Sequence, residues 1–296
     1  MKIHTYVMIT LPLVAFFALH SFFRPPRVVF CDVGQGDAIL IIQGTTQLLI
    51  DTGPDRSIET CLYQQMPFFD RTIEIVIISH PDLDHKGGLE HLARYFQIDT
   101  LFFNGEPDQE WSMQTLLQIQ SLATLADGDR INIADWEIDC LWPPDENTQP
   151  RIWDFREKKQ IPDIKTRRTP TLLSDTNANS IVIRLKIDAF SALFSGDLPE
   201  KYEKRLVDEK KLSQVTLLKA GHHGSKTSTS TPFLEELRPT HIVFSVGKRN
   251  SYHHPHQEIL DKVIKKQIQI WRTDKQGTIT FNLRSKSEVA IHTSRP

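Results

Sequence analysis

The chain has 296 residues, of which 39% are hydrophobic and 24% charged, a balance that excludes disordered and fibrous classes and leaves ample material for a core. Lys and Arg number 35 against 37 Asp and Glu, so no overall basic footprint for nucleic acid exists and any polyanion must be held locally. The three cysteines, Cys31, Cys61 and Cys140, are too few and too scattered for a disulfide framework or a cysteine-rich zinc site. They read as buried thiols, with oxidation of one unspecified pair left open for a domain outside the cytoplasm.

Residues 6–23 carry no formal charge and are almost wholly apolar. As a helix they would span roughly 27 Å, enough for a hydrocarbon core, and predict one hydrophobic N-terminal helix that anchors the chain in a membrane. A cleaved signal peptide and a buried core helix compete with that reading. Arg24-Pro25-Pro26 is a stiff spacer, so residues 1–26 form anchor and spacer and 27–296 the folded domain.

From residue 27 two β-rich runs are divided by the turn residues of DVGQGD, a hairpin-like start. The run IEIVIIS then leads through the polar loop HPDLDHKGG to a helical pattern, LEHLARYF. Residues 143–178 are polar and Pro-containing, an insertion or mobile loop. Beyond them SIVIRLKI, SALF, VTLLKA, THIVFSVG, QIQIWRT and GTITFNL read as strands. PEKYEKRLVDEKK, TPFLEELR and HQEILDKVIKK read as helices. Helices separating strands in both halves predict an α/β sandwich of two sheets with helices outside.

The strongest chemical signal is His80, Asp82, Asp84 and His85 on the loop after a buried strand. Two imidazoles and two carboxylates so close together can wrap a cation, whereas without one the carboxylates would repel. Ser195-Gly196-Asp197 and Gly221-His222-His223-Gly224-Ser225 also follow strands, so if those strands are neighbours their ligands converge on one edge and a binuclear site becomes plausible. DVGQGD invites a phosphate-loop reading but lacks the helix and lysine for it, so its glycines are read as a tight turn beneath the metal loop.

On these residues the chain resembles the metallo-β-lactamase superfamily: His80-x-Asp82-x-Asp84-His85 is a variant of the HxHxDH signature, and Asp51 and Asp197 match two further aspartates. More specifically it resembles the C-terminal hydrolase domain of the competence protein ComEC family. Asp32 to Asp37, SHPDLDHKGG, Asn179-Ser180, Ser195 to Asp197, Leu218-Lys219 to Ser225, Asn250-x-Tyr252-x-His254-Pro255 and Arg272-Thr273-Asp274 to Gly277 carry that match.

The resemblance implies an αββα sandwich of two mixed sheets flanked by helices and a pair of divalent ions, Mn²⁺ or Zn²⁺, with no organic cofactor. His80 and Asp82 would take one ion and Asp84 and His85 the second, with Asp197 between them and one of His222 and His223 completing the set. Asn179 stands where many relatives have a third histidine. Asp84, His254 and Lys226 are the candidate catalytic residues, Ser225, Thr227, Asn250 and Asn179 the candidate substrate contacts, and Asp32, Asp37 and Asp51 supports of the site. Asp82 in place of a histidine makes the ligand set harder and favours manganese.

The implied activity is a metal-dependent phosphodiesterase or nuclease acting on DNA, single-stranded, during DNA uptake beside a ComEC-type channel protein. The implied place is the plasma or inner membrane, with the hydrolase domain on the extracytoplasmic side. An envelope phosphorylcholine esterase is the alternative enzyme, for which Trp136, Trp142 and Trp153 could supply an aromatic cage. A non-catalytic module assisting a separate channel is the third reading.

Overall fold

The computed structural model describes residues 24–145, 150–156, 173–284 and 289–296. The expected anchor at 6–23 lies outside them, and no helix among the described residues is long and apolar enough to cross a membrane.

Among the described residues, apolar runs dictate two eight-stranded sheets. The first contains β1 (Arg27–Phe30), β2 (Ile39–Gln43), β3 (Thr46–Ile50), β4 (Thr72–Ile77), β5 (Gln97–Phe102) and β6 (Ile119–Ala123), with β15 (Ile279–Leu283) and β16 (Val289–Thr293) beyond β1. The second orders as β14 (Gln269–Arg272), β13 (His241–Phe244), β12 (Leu217–Lys219), β11 (Phe190–Phe194), β10 (Val182–Ile187), β8 (Trp136–Trp142), β7 (Arg130–Ile133) and β9 (Ile152–Asp154). Both are mixed: β3 to β6 run parallel while β1 to β3 alternate, and β11 to β14 run parallel while β10 and β11 are antiparallel.

Alternation along the strands sends one set of side chains inward, where Phe30, Ile41, Ile75, Phe102, Ile138, Leu185, Phe194 and Phe281 form the layer between the sheets. The opposite faces are covered by helices, as the expected αββα sandwich requires. On the first sheet α1 (Ser57–Gln65), α2 (Leu83–Lys86) and α3 (Leu89–Leu92) contribute Ile58, Leu62, Leu89 and Leu92, followed by the short α4 (Pro107–Glu110) and α5 (Met113–Leu116). On the second α6 (Glu200–Asp208), α7 (Thr231–Leu237) and α8 (Gln257–Lys265) contribute Leu206, Phe233, Leu237, Ile259 and Val263, and α9 (Thr273–Gln276) precedes β15.

Three expectations are corrected. LEHLARYF is helical only over α3 (Leu89–Leu92), and the polar loop before it carries its own short helix, α2; between them Gly87 and Gly88 lie against the carbonyls of Pro54 and Thr52, a closeness that allows no Cβ. The 143–178 stretch is not wholly irregular. Its β9 pairs with β7 because Trp153 is buried between the sheets and the Arg151 Nε donates to Asp129 Oδ1 at 3.1 Å, while residues 146–149 and 157–172 lie outside the description. Finally, Cys31 and Cys61 are joined in a disulfide tying β1's end to α1, and only Cys140 is a buried free thiol.

Candidate metal centre

The site lies at the carboxyl ends of β3, β4, β11, β12 and β13, where the parallel portions of both sheets end on one rim. Strand ends are where backbone direction changes, so polar side chains can leave the pleat and point together. The first sheet delivers Asp37, Asp51, Ser79, His80, Asp82, Asp84 and His85, and the second delivers Asp197, Lys219, His222 and His223.

The inner half is enclosed. His85 is fully buried, its Nδ1 lies 2.8 Å from Asp51 Oδ2, and its Nε2 lies 3.4 Å from Asp197 Oδ1 and 4.0 Å from Asp84 Oδ1. His223 donates from Nδ1 to the Ser245 carbonyl at 2.9 Å, which leaves Nε2 bare, 3.2 Å from Asp84 Oδ2 and 3.6 Å from Asp197 Oδ2. Ser79 fixes Asp51 through N–H at 2.7 Å and Oγ at 2.9 Å. A carboxylate or carbonyl behind each histidine sets its tautomer and presents the other nitrogen as a ligand.

The outer half is more open. His80 Nδ1 meets Ser79 Oγ at 3.0 Å, and its Nε2 is 3.6 Å from Asp82 Oδ2, whose side chain is 43% exposed. His222 Nε2 is 3.5 Å from Asp197 Oδ2, while its Nδ1 meets Thr227 Oγ1 at 3.2 Å. Both adjacent histidines therefore face Asp197, where only one had been expected to. The backbone makes this possible: His222 and His223 sit at φ 46° and 54°, left-handed values that turn consecutive rings to either side of the carboxylate. Asp51, Thr229 and His253 also have positive φ, so strain gathers around the site. Gly36 sits at φ 138° against the Asp84 carbonyl, where a Cβ would clash, and this allows Asp37 N–H to donate to that carbonyl at 3.1 Å.

The donor set fits a divalent ion. The Nε2 atoms of His80, His85 and His223 are buried without a hydrogen-bond partner, and such atoms are costly unless something cationic meets them. Ligand atoms of Asp37, His85, Asp197 and His223 all lie within 4.8 Å of one another. The electrostatics agree. Burial opposes ionisation of Asp84, but the adjacent His223 and the charge of His85 outweigh it and hold the carboxyl at about 2. Burial likewise opposes, and His223, His85 and Lys219 overcome, so Asp197 is held well below the usual carboxylate range. The same partners push the histidines up against their own burial: His85 well above its ordinary value through Asp197 and Asp51, and His223 above it through Asp197 and Asp37. Burial lowers His222.

Other expected residues fall elsewhere. Asn179 spends its amide on the preceding loop. Its amide accepts from Leu173 N–H at 2.7 Å and donates to the Leu173 and Asp175 carbonyls, so it staples the preceding loop. Asn250 likewise bridges the Gly247 and His254 carbonyls and accepts from His254 N–H, which makes it a brace of the loop that carries His254. Asp32 pairs with Arg295 outside the donor cluster. Ser225 is buried and accepts from Thr227 Oγ1 at 3.0 Å, and the exposed Lys226 is fixed through its backbone N–H on His256. Buried Glu203 holds this loop from below by accepting from Thr229 and Ser230 N–H at 2.6 and 2.8 Å. His254 has its ring 5.7 Å from that of His222, and burial with the neighbouring histidines lowers it to about 4. Trp136, Trp142 and Trp153 are core residues, which removes the aromatic cage. Sequence reasoning gave no role to Lys219, although a lone lysine in the apolar strand LLKA was its signal. Asp37, read there as a support of the site, has a carboxylate oxygen within 4.8 Å of ligand atoms of His85, Asp197 and His223.

The profile of the Metallo-beta-lactamase superfamily matches residues 31–126. Among curated relatives the chain is 27% identical to ComE operon protein 3 of Bacillus subtilis over 88% of its own length and 33% of that protein's. It is 29% identical to competence protein ComA of Neisseria gonorrhoeae, covering 86% of this chain and 32% of the relative. Recombination protein 2 of Haemophilus influenzae is 27% identical, with 85% and 28% covered. The chain thus spans about a third of the length of these relatives. Among solved structures, the metallo-β-lactamase fold protein YhfI of Bacillus subtilis superposes with a TM-score of 0.53 at 12% identity, covering 83% of this chain and 95% of that one. The diiron β-hydroxylase CmlA of Streptomyces venezuelae gives 0.52 at 12% identity over 88% of this chain and 54% of CmlA. The fold is that of the metallo-β-lactamases, and the sequence matches support a ComEC-like domain of this kind.

Proposed function

We propose that the chain is a metal-dependent phosphodiesterase that cuts single-stranded DNA at a membrane surface during DNA uptake, working beside a ComEC-type channel protein. The observation that carries the reading is the convergence of three partnerless histidine Nε2 atoms and the carboxylates of Asp82, Asp84 and Asp197 on one rim. In this reading His85, Asp84, His223 and Asp197 hold an inner Mn²⁺ or Zn²⁺, and His80, Asp82, His222 and Asp197 hold an outer one.

Divalent ions bound there supply an activated water and positive charge opposite a phosphoryl oxygen. Asp84, ionised at neutral pH and partly exposed, would orient a water held there through a carboxylate oxygen. Neutral at pH 7, His254 donates an N–H to a non-bridging phosphoryl oxygen without adding charge. Ser225, Thr227 and Lys226 line the rim and meet the neighbouring phosphate.

The printed names of the relatives, a competence protein and a recombination protein, favour DNA over other phosphodiesters. Attachment to the plasma or inner membrane is supported by the apolar residues 6–23 and by Phe68 and Phe69, which are 69% and 46% exposed and line one pocket with Arg24, where that segment joins the domain. The Cys31–Cys61 disulfide supports an extracytoplasmic domain. The test compares hydrolysis of single-stranded DNA, RNA and small phosphodiesters with Mn²⁺ or Zn²⁺. Cleavage of DNA that disappears in Asp84→Ala is expected, and a protein that takes up no divalent ion would sink the reading.

A further inference from the structure

Lys219, the last residue of β12, is fully buried and ends inside the donor cluster. Its Nζ donates to the Gly196 carbonyl at 2.9 Å, pairs with Asp37, and lies 3.4 Å from Asp197 Oδ1. Asp37 is 1% exposed, and its other oxygen faces His223 Nδ1 at 3.5 Å. A buried ammonium beside an acidic cage is unusual, since a divalent ion placed in the cage must be repelled by it. Geometry resolves the conflict if the lysine has its own counter-ion. Asp37 reaches the ammonium, whereas Asp84 reaches His223 at 3.2 Å from the opposite side, so the cage keeps a full set of donors without Asp37.

We propose that Lys219 is a resident cation of the inner site, a positioning residue that claims Asp37 as its counter-ion, keeps it out of the ligand set, and fixes Asp197 Oδ1 toward His85. The pair Asp37–Lys219 is then electrically neutral and sets how tightly a divalent ion is held. This rests on the metal-binding reading above. It makes opposite predictions from the view that Asp37 is itself a ligand, because a ligand's loss cannot be repaired by removing a neighbouring charge.

The experiment is a calorimetric Mn²⁺ titration of the full chain as wild type, Asp37→Asn, Lys219→Gln, Lys219→Arg and the double variant Asp37→Asn/Lys219→Gln. With its counter-ion gone, the ammonium should weaken Mn²⁺ binding by about tenfold or more in Asp37→Asn, given the strength of close charge pairs in partly desolvated sites. The double variant should return to within about threefold of wild type, because the charges cancel in pairs. Lys219→Gln should bind more tightly than wild type, and Lys219→Arg should match it. A double variant that binds no better than Asp37→Asn overturns the assignment and makes Asp37 a ligand. Should Lys219→Gln alone fail to fold, the comparison of Asp37→Asn with the double variant still decides. Failure of the double variant to fold as well would also overturn the assignment, since Lys219 would then be a pin of the fold and not a tuner of metal binding. Wild-type protein that binds no Mn²⁺ removes this inference together with the metal reading, whereas wild-type binding without recovery in the double variant removes this inference alone.

Discussion

The two halves of the centre are built differently although they share Asp197. Inside, three donors have a second partner that aims them: Asp51 behind His85, Ser245 behind His223, and Lys219 on Asp197. Outside, His80 rests on a serine hydroxyl, Asp82 is 43% exposed, and the side chain of His222 is 28% exposed beside a threonine. The difference teaches that one half is organised before any ion arrives, while the other must be organised by it. An ion in the inner half should be held tightly, and one in the outer half should exchange.

The largest test removes what the halves share. Asp197→Asn should lower hydrolysis by about 10²-fold or more, because the ions that supply the charge opposite the phosphoryl oxygen lose their shared ligand, and metal analysis should find both ions weakened. Loss of only one would break the picture of a shared carboxylate. Next in size, Asp51→Asn should weaken the tighter ion by about 10–100-fold, as removal of a carboxylate behind a ligand histidine does. Asp82→Asn should leave that ion in place and affect only the weaker one. Equal effects of the two substitutions on the same ion would erase the distinction.

Acidity gives the subtlest contrast. His85 and His223 are both raised above their ordinary value of 6.5. In the metal-free protein their added protonation stabilises the fold fully below pH 6.5, and that stabilisation is lost as pH rises through the raised values. An ion needs the same nitrogens bare, so inner affinity should grow with pH over this window. His222, lowered by burial, is already bare at neutral pH, so the outer half should change little there. Thermal midpoints in EDTA, falling above pH 6.5 while the gain from added Mn²⁺ rises, would sharpen the comparison. A flat profile in both conditions would count against the inner histidines as ligands.

Much of this was legible in the sequence. Apolar runs such as IEIVIIS and SALF became β4 and β11, and the polar loops after them became the rim, because burying a strand leaves little freedom in where its end emerges. His80, Asp84, His85 and Asp197 follow from that logic. What stayed hidden depends on backbone angles and on partners distant in sequence. Nothing local indicates that His222 and His223 take left-handed conformations, or that Asn179 turns back to Leu173. The pairing of Cys31 with Cys61 requires β1 and α1 to be neighbours, and β9 requires Trp153 to find the core from within a polar stretch.

The donors come from two separate sheets: His80, Asp82, Asp84 and His85 from one, and Asp197, His222 and His223 from the other. An ion captured between them therefore acts as a rivet through the layers, and its binding energy adds directly to the resistance of the whole sandwich to opening. If a divalent ion is bound there, assembly of the two layers and acquisition of metal become linked equilibria, and withholding the ion would loosen the sandwich.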